Sequence, residues 1–207
     1  MTSKKSIERS RIRLECDGLT TQTFFIPSFH LEEGRVICLH VLLPSLAWHE
    51  DVLPILTGRT AHSSLRFFGT VAYLDRPMPR RRWWGGLYNP SASHWLITEK
   101  GLTSKEAWAV LDLVDWPEDV SVGSEGWNER TMLALEACLL HPPDVLVLDT
   151  TGNDPLTTQS IFERLSSRPP DLALIYLKTR HEMDDPCFPG STCFDVVRAP
   201  SQATLAE

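Results

Sequence analysis

The sequence predicts an α/β protein with a mostly parallel central sheet. Three short, almost wholly apolar runs support this prediction: RVICLHVLL at 35–43, VLVL at 145–148 and LALIYL at 172–177. Strands buried on both faces of a sheet give such continuous runs, whereas a sheet with one solvated face gives alternation. Helix-like segments separate the later runs, as expected when parallel strands are joined by crossovers.

The N-terminal third predicts an antiparallel β part that precedes the parallel sheet. Residues 11–16 alternate in polarity like an edge strand, and residues 24–31 form a second strand-like run. A turn at 32–34 then leads into the first apolar run. Further along, the stretch SSLRFFGTVAYLDRP at 63–77 predicts another pair of strands. The last strand is expected at 194–198.

Four segments predict helices. Residues 52–56 are expected to end one helix, and Pro142 and Pro143 are expected to stop another that covers 129–140. A third covers 104–113, with Ser104 as its N-cap and Ala107, Val110 and Leu111 on one face. The fourth covers 155–165.

Composition fits a single globular domain. We expect a flexible N-terminus at 1–10, one domain at 11–200 and a tail at 201–207. The chain of 207 residues is 42% hydrophobic and 23% charged, values typical of globular proteins. Its net charge of -7 argues against nucleic-acid binding. Neither a signal sequence nor a run of eighteen apolar residues is present, so we expect a cytoplasmic protein.

The five cysteines predict reduced, mostly buried thiols and no disulfide framework, because their number is odd and they are scattered. Cys187 and Cys193 with His181 match no common zinc spacing, so no metal is expected there.

Asp149 is the first candidate site residue. It ends the apolar run at 145–148 and precedes a small polar loop, 150–155. An acid at the carboxyl end of a buried parallel strand lies where open α/β sheets bind ligands. The alternative is a core strand that ends in a solvated carboxylate.

The helix at 129–140, the two prolines, the strand with Asp149 and the following Asp154-Pro155 resemble the second half of an ATP-binding cassette (ABC) ATPase domain. The apolar run at 35–43 and the stretch at 60–77 resemble its first half, and His181 with Glu-Met-Asp-Asp resembles its last strand end. The resemblance implies a three-layer, P-loop NTPase-like ABC ATPase fold. It also implies that Asp149 and His181 are remnants of a nucleotide site. The alternative is another α/β fold without a phosphate loop.

The resemblance breaks where the family binds and hydrolyses nucleotide. A phosphate loop needs glycines, a lysine and a Ser/Thr for magnesium, but residues 40–57, HVLLPSLAWHEDVLPILT, contain neither glycine nor lysine. Glu50 and Asp51 would repel triphosphate there. Asp75 or Arg76 stands in place of the family's glutamine. Thr150 replaces the glutamate that acts as general base, and a threonine cannot take that proton at neutral pH.

The signature loop of the family corresponds to VSVGSEGWN at 120–128. Ser124 and Gly126 are weak remnants of its γ-phosphate contacts, and an ordinary loop is the alternative. Glu125 and the bulky Trp127 both argue against phosphate binding.

Arg80, Arg81, Arg82, Trp83 and Trp84 are the predicted partner interface. Arginine beside tryptophan is enriched at protein interfaces, and the resemblance places this segment next to the permease. Basic and aromatic residues can also bind nucleic acid or lipid, or lie on an ordinary surface with the tryptophans tucked in.

The predicted function is a non-catalytic (pseudo-ATPase) ABC-type subunit. It would pair with an active ABC ATPase subunit and an integral membrane permease, peripheral to the inner face of the membrane. No cofactor is expected, with ATP and Mg²⁺ bound only weakly or through the partner subunit. Two alternatives remain: a divergent but active ABC ATPase, and an α/β regulatory or assembly protein unconnected with transport.

Overall fold

The computed structural model describes residues 11–41, 48–74, 78–81, 86–117, 120–150, 153–179 and 187–199. Its strands are β1 (Ile12–Cys16), β2 (Leu19–Thr20), β3 (Phe24–Ile26), β4 (Phe29–Glu32), β5 (Val36–Val41), β6 (Leu65–Phe67), β7 (Val71–Tyr73), β8 (Arg80–Arg81), β9 (Leu87–Tyr88), β10 (Val145–Asp149), β11 (Ala173–Thr179) and β12 (Thr192–Arg198). Its α-helices are α1 (Leu53–Leu56), α2 (Ala92–Thr98), α3 (Ser104–Leu113), α4 (Trp127–Leu140) and α5 (Pro155–Ser166), and a π-helical turn, Trp48–Val52, leads into α1.

These elements form two compact units. The first contains the described residues up to Tyr73, Pro143–Pro155 and the described residues from Ser167 onward. The second contains Leu74–Pro142 and Leu156–Ser166. The expected single domain at 11–200 remains a prediction, and the expected terminal segments, 1–10 and 201–207, lie outside the described residues.

A seven-stranded sheet in the first unit has the strand order β2-β3-β12-β5-β11-β10-β7. Every pairing from β12 to β7 is parallel, and only β2 and β3 at one end pair antiparallel. This confirms the predicted α/β class with a mostly parallel sheet. The three apolar runs became β5, β10 and β11, which lie next to one another or one strand apart.

One face of this sheet carries the core of the first unit. Ile37, Leu39 and Ile175 contribute alternate side chains from their strands, and Trp48 of the π-helical turn belongs to the same buried cluster. The ring of Trp48 meets Phe24 edge to face, with 5.5 Å between centroids. Burying large rings in this way contributes strongly to a core.

The antiparallel part is a separate three-stranded sheet with the order β4-β1-β6. The prediction that residues 11–16 form an edge strand was wrong, because β1 lies at the centre and pairs with both neighbours. Its alternation reflects burial on one face, which buries Leu14 and Cys16, and says nothing about an edge position.

Two other strand predictions needed correction. The run at 24–31 breaks at Pro27, which cannot donate to a ladder, so β3 joins the large sheet and β4 the small one. Residues 63–77 do contain two strands, but β6 pairs with β1 and β7 pairs with β10. They are therefore not a pair with each other.

The second unit is mainly helical and contains α2, α3, α4, most of α5 and the small β8–β9 hairpin. Helix α3 has the predicted bounds and buries the predicted face, but its N-cap is Thr103 and not Ser104. Thr103 and Glu106 exchange bonds in a capping box, which satisfies two free backbone N–H groups at once. Glu136 of α4 lies buried and forms a two-pronged ion pair with Arg164 of α5.

Candidate functional site

The candidate site begins with Asp149, the last residue of β10. All five residues of this strand are buried, and its neighbours β11 and β7 both run parallel to it. The side chain of Asp149 is 8% exposed. The sequence prediction of a carboxylate at the carboxyl end of a buried parallel strand is therefore confirmed, and the expected alternative of a solvated carboxylate is wrong.

Thr150 follows Asp149 and is tied to the neighbouring strand. Its hydroxyl donates a 2.6 Å hydrogen bond to the carbonyl oxygen of Leu177, and its own N–H donates to the same oxygen at 3.1 Å. The residue is 3% exposed. Both donors of Thr150 therefore serve the backbone of β11.

His49 is the side chain that the sequence analysis missed at this site. Its Nε2 lies 3.6 Å from Oδ2 of Asp149, and its ring is about half exposed. The histidine belongs to the π-helical turn Trp48–Val52, which follows β5 in the sequence after the segment 42–47. Strands β5 and β10 run in the same direction within one sheet, so residues that follow them can meet at one edge. The position of His49 after β5 could have indicated this contact only if the order of the strands in the sheet had been known.

The two acidic residues after His49 are also placed. Asp51 accepts a 2.8 Å hydrogen bond from the hydroxyl of Thr23, and Glu50 is exposed. The turn that leads into α1 thus carries two carboxylates and a histidine in its five residues. Negative charge at this position opposes an anionic ligand.

The site offers few metal donors. Within the described residues, no third His, Cys, Asp or Glu joins Asp149 and His49 closely enough to form a three-ligand group. The described donors that do converge are Cys38, His40 and Cys193, on another part of the sheet. An ion at Asp149 would therefore depend on water or on ligands from elsewhere.

Ser124 and Gly126, the proposed signature-loop remnants, lie in the second unit. The Ser124 hydroxyl donates to the carbonyl oxygen of Ser121 at 2.7 Å, a local turn contact of the kind serine commonly makes. Gly126 is the N-cap of α4, and its carbonyl oxygen accepts from the backbone N–H and side-chain Nε of Arg130. Both residues thus have structural roles in their own loop.

The structure describes only part of the predicted partner interface and does not describe several other predicted positions. Arg80 and Arg81 form β8, which pairs antiparallel with Leu87 and Tyr88 of β9, so the predicted interface segment begins in a hairpin. Arg82, Trp83 and Trp84 lie outside the described residues. His181 also lies outside them, as do Asp75 and Arg76.

Comparison with solved structures gives the fold. The chain superposes on a protein described as a metal-chelate type ABC transporter in an inward-facing conformation, with a TM-score of 0.65, 11% identity and coverage of 93% of this chain and 84% of that one. It superposes on an ABC transporter ATP-binding protein from Pyrococcus furiosus with a TM-score of 0.64, 13% identity and coverage of 87% and 96%. The fold is ABC ATPase-like.

A third match has the same character. It is cbiO1 from Clostridium perfringens, part of the ABC transporter complex cbiONQ, with a TM-score of 0.56, 13% identity and coverage of 95% and 92%. The sequence itself matches no protein-family model and no curated protein. The similarity to ABC ATP-binding proteins is therefore one of fold.

No described helix can cross a bilayer. The longest of them, α4, has 14 residues, whereas a transmembrane helix needs about 20 apolar residues.

Proposed function

We propose that this chain is a non-catalytic ABC-type subunit that pairs with an active ABC ATPase and a membrane permease in a transport complex. The observation that carries the proposal is Thr150. This chain has an ABC ATPase-like fold, and Thr150 follows the carboxylate at the end of β10. Its N–H and its hydroxyl both donate to the Leu177 carbonyl oxygen.

The segment after β5 supports the same proposal. Phosphoryl transfer depends on backbone N–H groups, a lysine and a magnesium ligand arranged around the phosphates. This chain places His49, Glu50 and Asp51 in the turn before α1 instead. Since each missing group contributes heavily to charge neutralisation in the transition state, losing several leaves no credible hydrolysis.

Contacts with partner subunits are the function that remains to a domain of this kind. A domain that keeps its core and loses its chemistry acts through contacts, and the fold is one that several transporter components share. We therefore assign the chain to the cytoplasmic, inner face of a membrane, held there by a permease through Arg80–Trp84. Nucleotide, if bound, would be shared with the active ATPase subunit.

Two measurements test this proposal. Calorimetric titration of the isolated chain with ATP and Mg²⁺ should show no binding in the low micromolar range, with an intact ABC ATP-binding domain as the positive control. Affinity purification of the tagged chain from detergent-solubilised membranes should recover a permease and an intact ABC ATPase.

The two measurements separate the alternatives. Low-micromolar binding with hydrolysis would establish a divergent active ATPase. Recovery of neither a permease nor a second ABC subunit would favour an α/β regulatory or assembly protein and would refute the transport assignment.

A further inference from the structure

The face of the large sheet opposite the core carries polar and sulfur side chains. Cys38 and His40 of β5 alternate with Ile37 and Leu39, which lie in the core. Because side chains alternate along a strand, Cys38 and His40 point to the other side.

The neighbouring strand β12 brings two further groups to this face. In the parallel register, Cys193 pairs with Cys38 and Asp195 pairs with His40. Register partners in a sheet point to the same face, so all four side chains lie together. The same-face neighbour of His40 on β11 is Lys178.

The three potential ligands come close enough to share an ion. One donor atom each from Cys38, His40 and Cys193 lies within 4.8 Å of the other two. Around tetrahedral zinc, with bonds of about 2.3 Å to sulfur and about 2.0 Å to nitrogen, neighbouring donor atoms are roughly 3.5–3.8 Å apart. Closing the group around an ion therefore requires the donor atoms to approach one another by about 1 Å, and the side chain of Cys193 is exposed.

We propose that Cys38, His40 and Cys193 form a binding site for a thiolate-preferring transition metal, with zinc as its representative ion. Two sulfurs and one imidazole form a soft to borderline donor set of the kind that zinc and copper(I) prefer over magnesium or calcium. Three protein ligands leave the fourth tetrahedral position for water or an added ligand. This inference goes beyond the proposed function and does not depend on it.

Asp195 gives the site an outer shell. Its Oδ1 lies 3.4 Å from Nδ1 of His40. A carboxylate that accepts from one nitrogen of a ligating histidine fixes the ring and leaves the other nitrogen for the metal. With a metal bound at Nε2 of His40, Asp195 would hold the Nδ1 side of the ring and act as a positioning residue.

Cys187 provides a matched control within the same region. It is exposed, like Cys193, but its Sγ lies 3.8 Å from Nζ of Lys178 and it does not belong to the three-donor group. A general preference of the protein's thiols for metal would involve Cys187 and Cys193 alike, whereas the site proposed here would involve only Cys193.

The test is metal binding by the full chain, kept reduced with a phosphine. Cobalt(II) titration should show a sulfur-to-cobalt charge-transfer band that saturates at one ion per chain, and zinc should abolish it. Competition with a chromophoric chelator then gives zinc affinity for the wild type and for Cys193→Ser, His40→Asn, Asp195→Asn and Cys187→Ser.

The expected order of the variants is specific. Cys193→Ser and His40→Asn should lose more than about 100-fold in zinc affinity, and Asp195→Asn about tenfold, as for an outer-shell partner. Cys187→Ser should bind like the wild type. Circular dichroism checks that each variant is folded. His40 and Cys193 lie on different strands, so if one of these two ligand variants fails to fold, the other still tests the site.

Three outcomes would overturn the proposal. The first is a wild type without a thiolate–cobalt band. The second is an equal loss of affinity in Cys187→Ser and Cys193→Ser. The third is a Cys38–Cys193 disulfide found by mass spectrometry in chain isolated without reductant, which would make the two thiols a redox pair instead.

Discussion

Thr150 ties together the ends of two neighbouring strands. Its hydroxyl is buried and donates to the Leu177 carbonyl oxygen of β11. The same carbonyl oxygen accepts from the Thr150 N–H. The residue therefore fixes the end of β10 against β11 directly beside Asp149.

Replacing Thr150 with valine should destabilise the protein by about 1 kcal/mol, because the hydroxyl bond is lost and the shape is kept. Thr150→Ser, which retains the hydroxyl, should cost less than the valine variant. Urea denaturation of the three proteins measures this. Equal stability of Thr150→Val and the wild type would show that the bond contributes nothing.

Asp149 is the second position at which a nucleotide role can be tested. If the carboxylate no longer serves magnesium, Asp149→Asn should leave partner-supported transport nearly intact. Any stability loss should be about 1 kcal/mol, the typical contribution of one hydrogen bond. Transport by the assembled complex and thermal unfolding of the variant are measured together. Loss of transport at unchanged stability would mean that a nucleotide role persists.

Secondary-structure elements were the part of the fold that the sequence predicted best. The buried parallel strands β5, β10 and β11 have continuous apolar runs because both of their faces are covered, and no tertiary information is needed to see this. Helix α2 was missed, although Ser91 accepts from the His94 N–H as its N-cap, because only two turns follow.

Strand pairing and site contacts were the parts that the sequence could not supply. The strand at residues 11–16 looked like an edge because alternation reports one-sided burial, not position within a sheet. His49 lies far from Asp149 in the sequence, and their contact depends on the order of the strands between them. Long-range contacts of this kind leave no local pattern.

The carboxylate of Asp144, directly before β10, joins the start of this strand to Thr70, directly before β7. Asp144 accepts from both the N–H and the hydroxyl of Thr70, at 2.7 and 2.9 Å, and Arg13 lies 3.3 Å away. These contacts, the Thr70 N–H first, lower the pKa of Asp144 below its ordinary value of 3.8. Because its pKa is lower in the folded state, the ionised Asp144 carboxylate stabilises the protein above pH 3.8. This stabilisation is lost as the pH falls through the pKa of Asp144 in the folded state.

Asp144→Asn should therefore be less stable than the wild type by about 1 kcal/mol at pH 7. The difference should shrink as the pH falls below about 4 because the wild-type carboxylate then takes up a proton. Urea unfolding at a series of pH values from 7 to 3 tests this. A difference that stays constant over the whole range would contradict the assignment.

Helices α4 and α5 meet through a buried ion pair in the second unit. Glu136 is 6% exposed, whereas the Arg164 side chain is 35% exposed and can reach water. Arg164→Met leaves a buried carboxylate unpaired and should cost about 3 kcal/mol. Glu136→Gln should cost less, since the arginine can be solvated. Chemical denaturation gives both values, and the reverse order would show that the carboxylate has another partner.

At the scale of the whole molecule, the net charge of -7 bears on what the chain can bind. We expect this net negative charge to repel nucleic acid and other polyanions. In the sequence, the segment Arg80–Trp84 joins three arginines to two tryptophans within this acidic chain. Its first two residues form one strand of a hairpin in the second unit, with Leu87 of the other strand 67% exposed.

If the chain is the transport subunit proposed above, the double variant Trp83→Ala, Trp84→Ala should weaken its assembly with the permease while the chain stays folded. Truncating a buried interface tryptophan often costs about 2 kcal/mol or more, which is roughly a thirtyfold loss of affinity. Trp108→Ala is the matched control, because Trp108 is exposed on α3 and lies outside the predicted interface. Co-purification with the permease measures assembly, and thermal unfolding measures folding. If the double variant unfolds, the two tryptophans belong to the core and the interface lies elsewhere. If it folds and assembles like the control, the assignment of this segment as the partner surface is wrong.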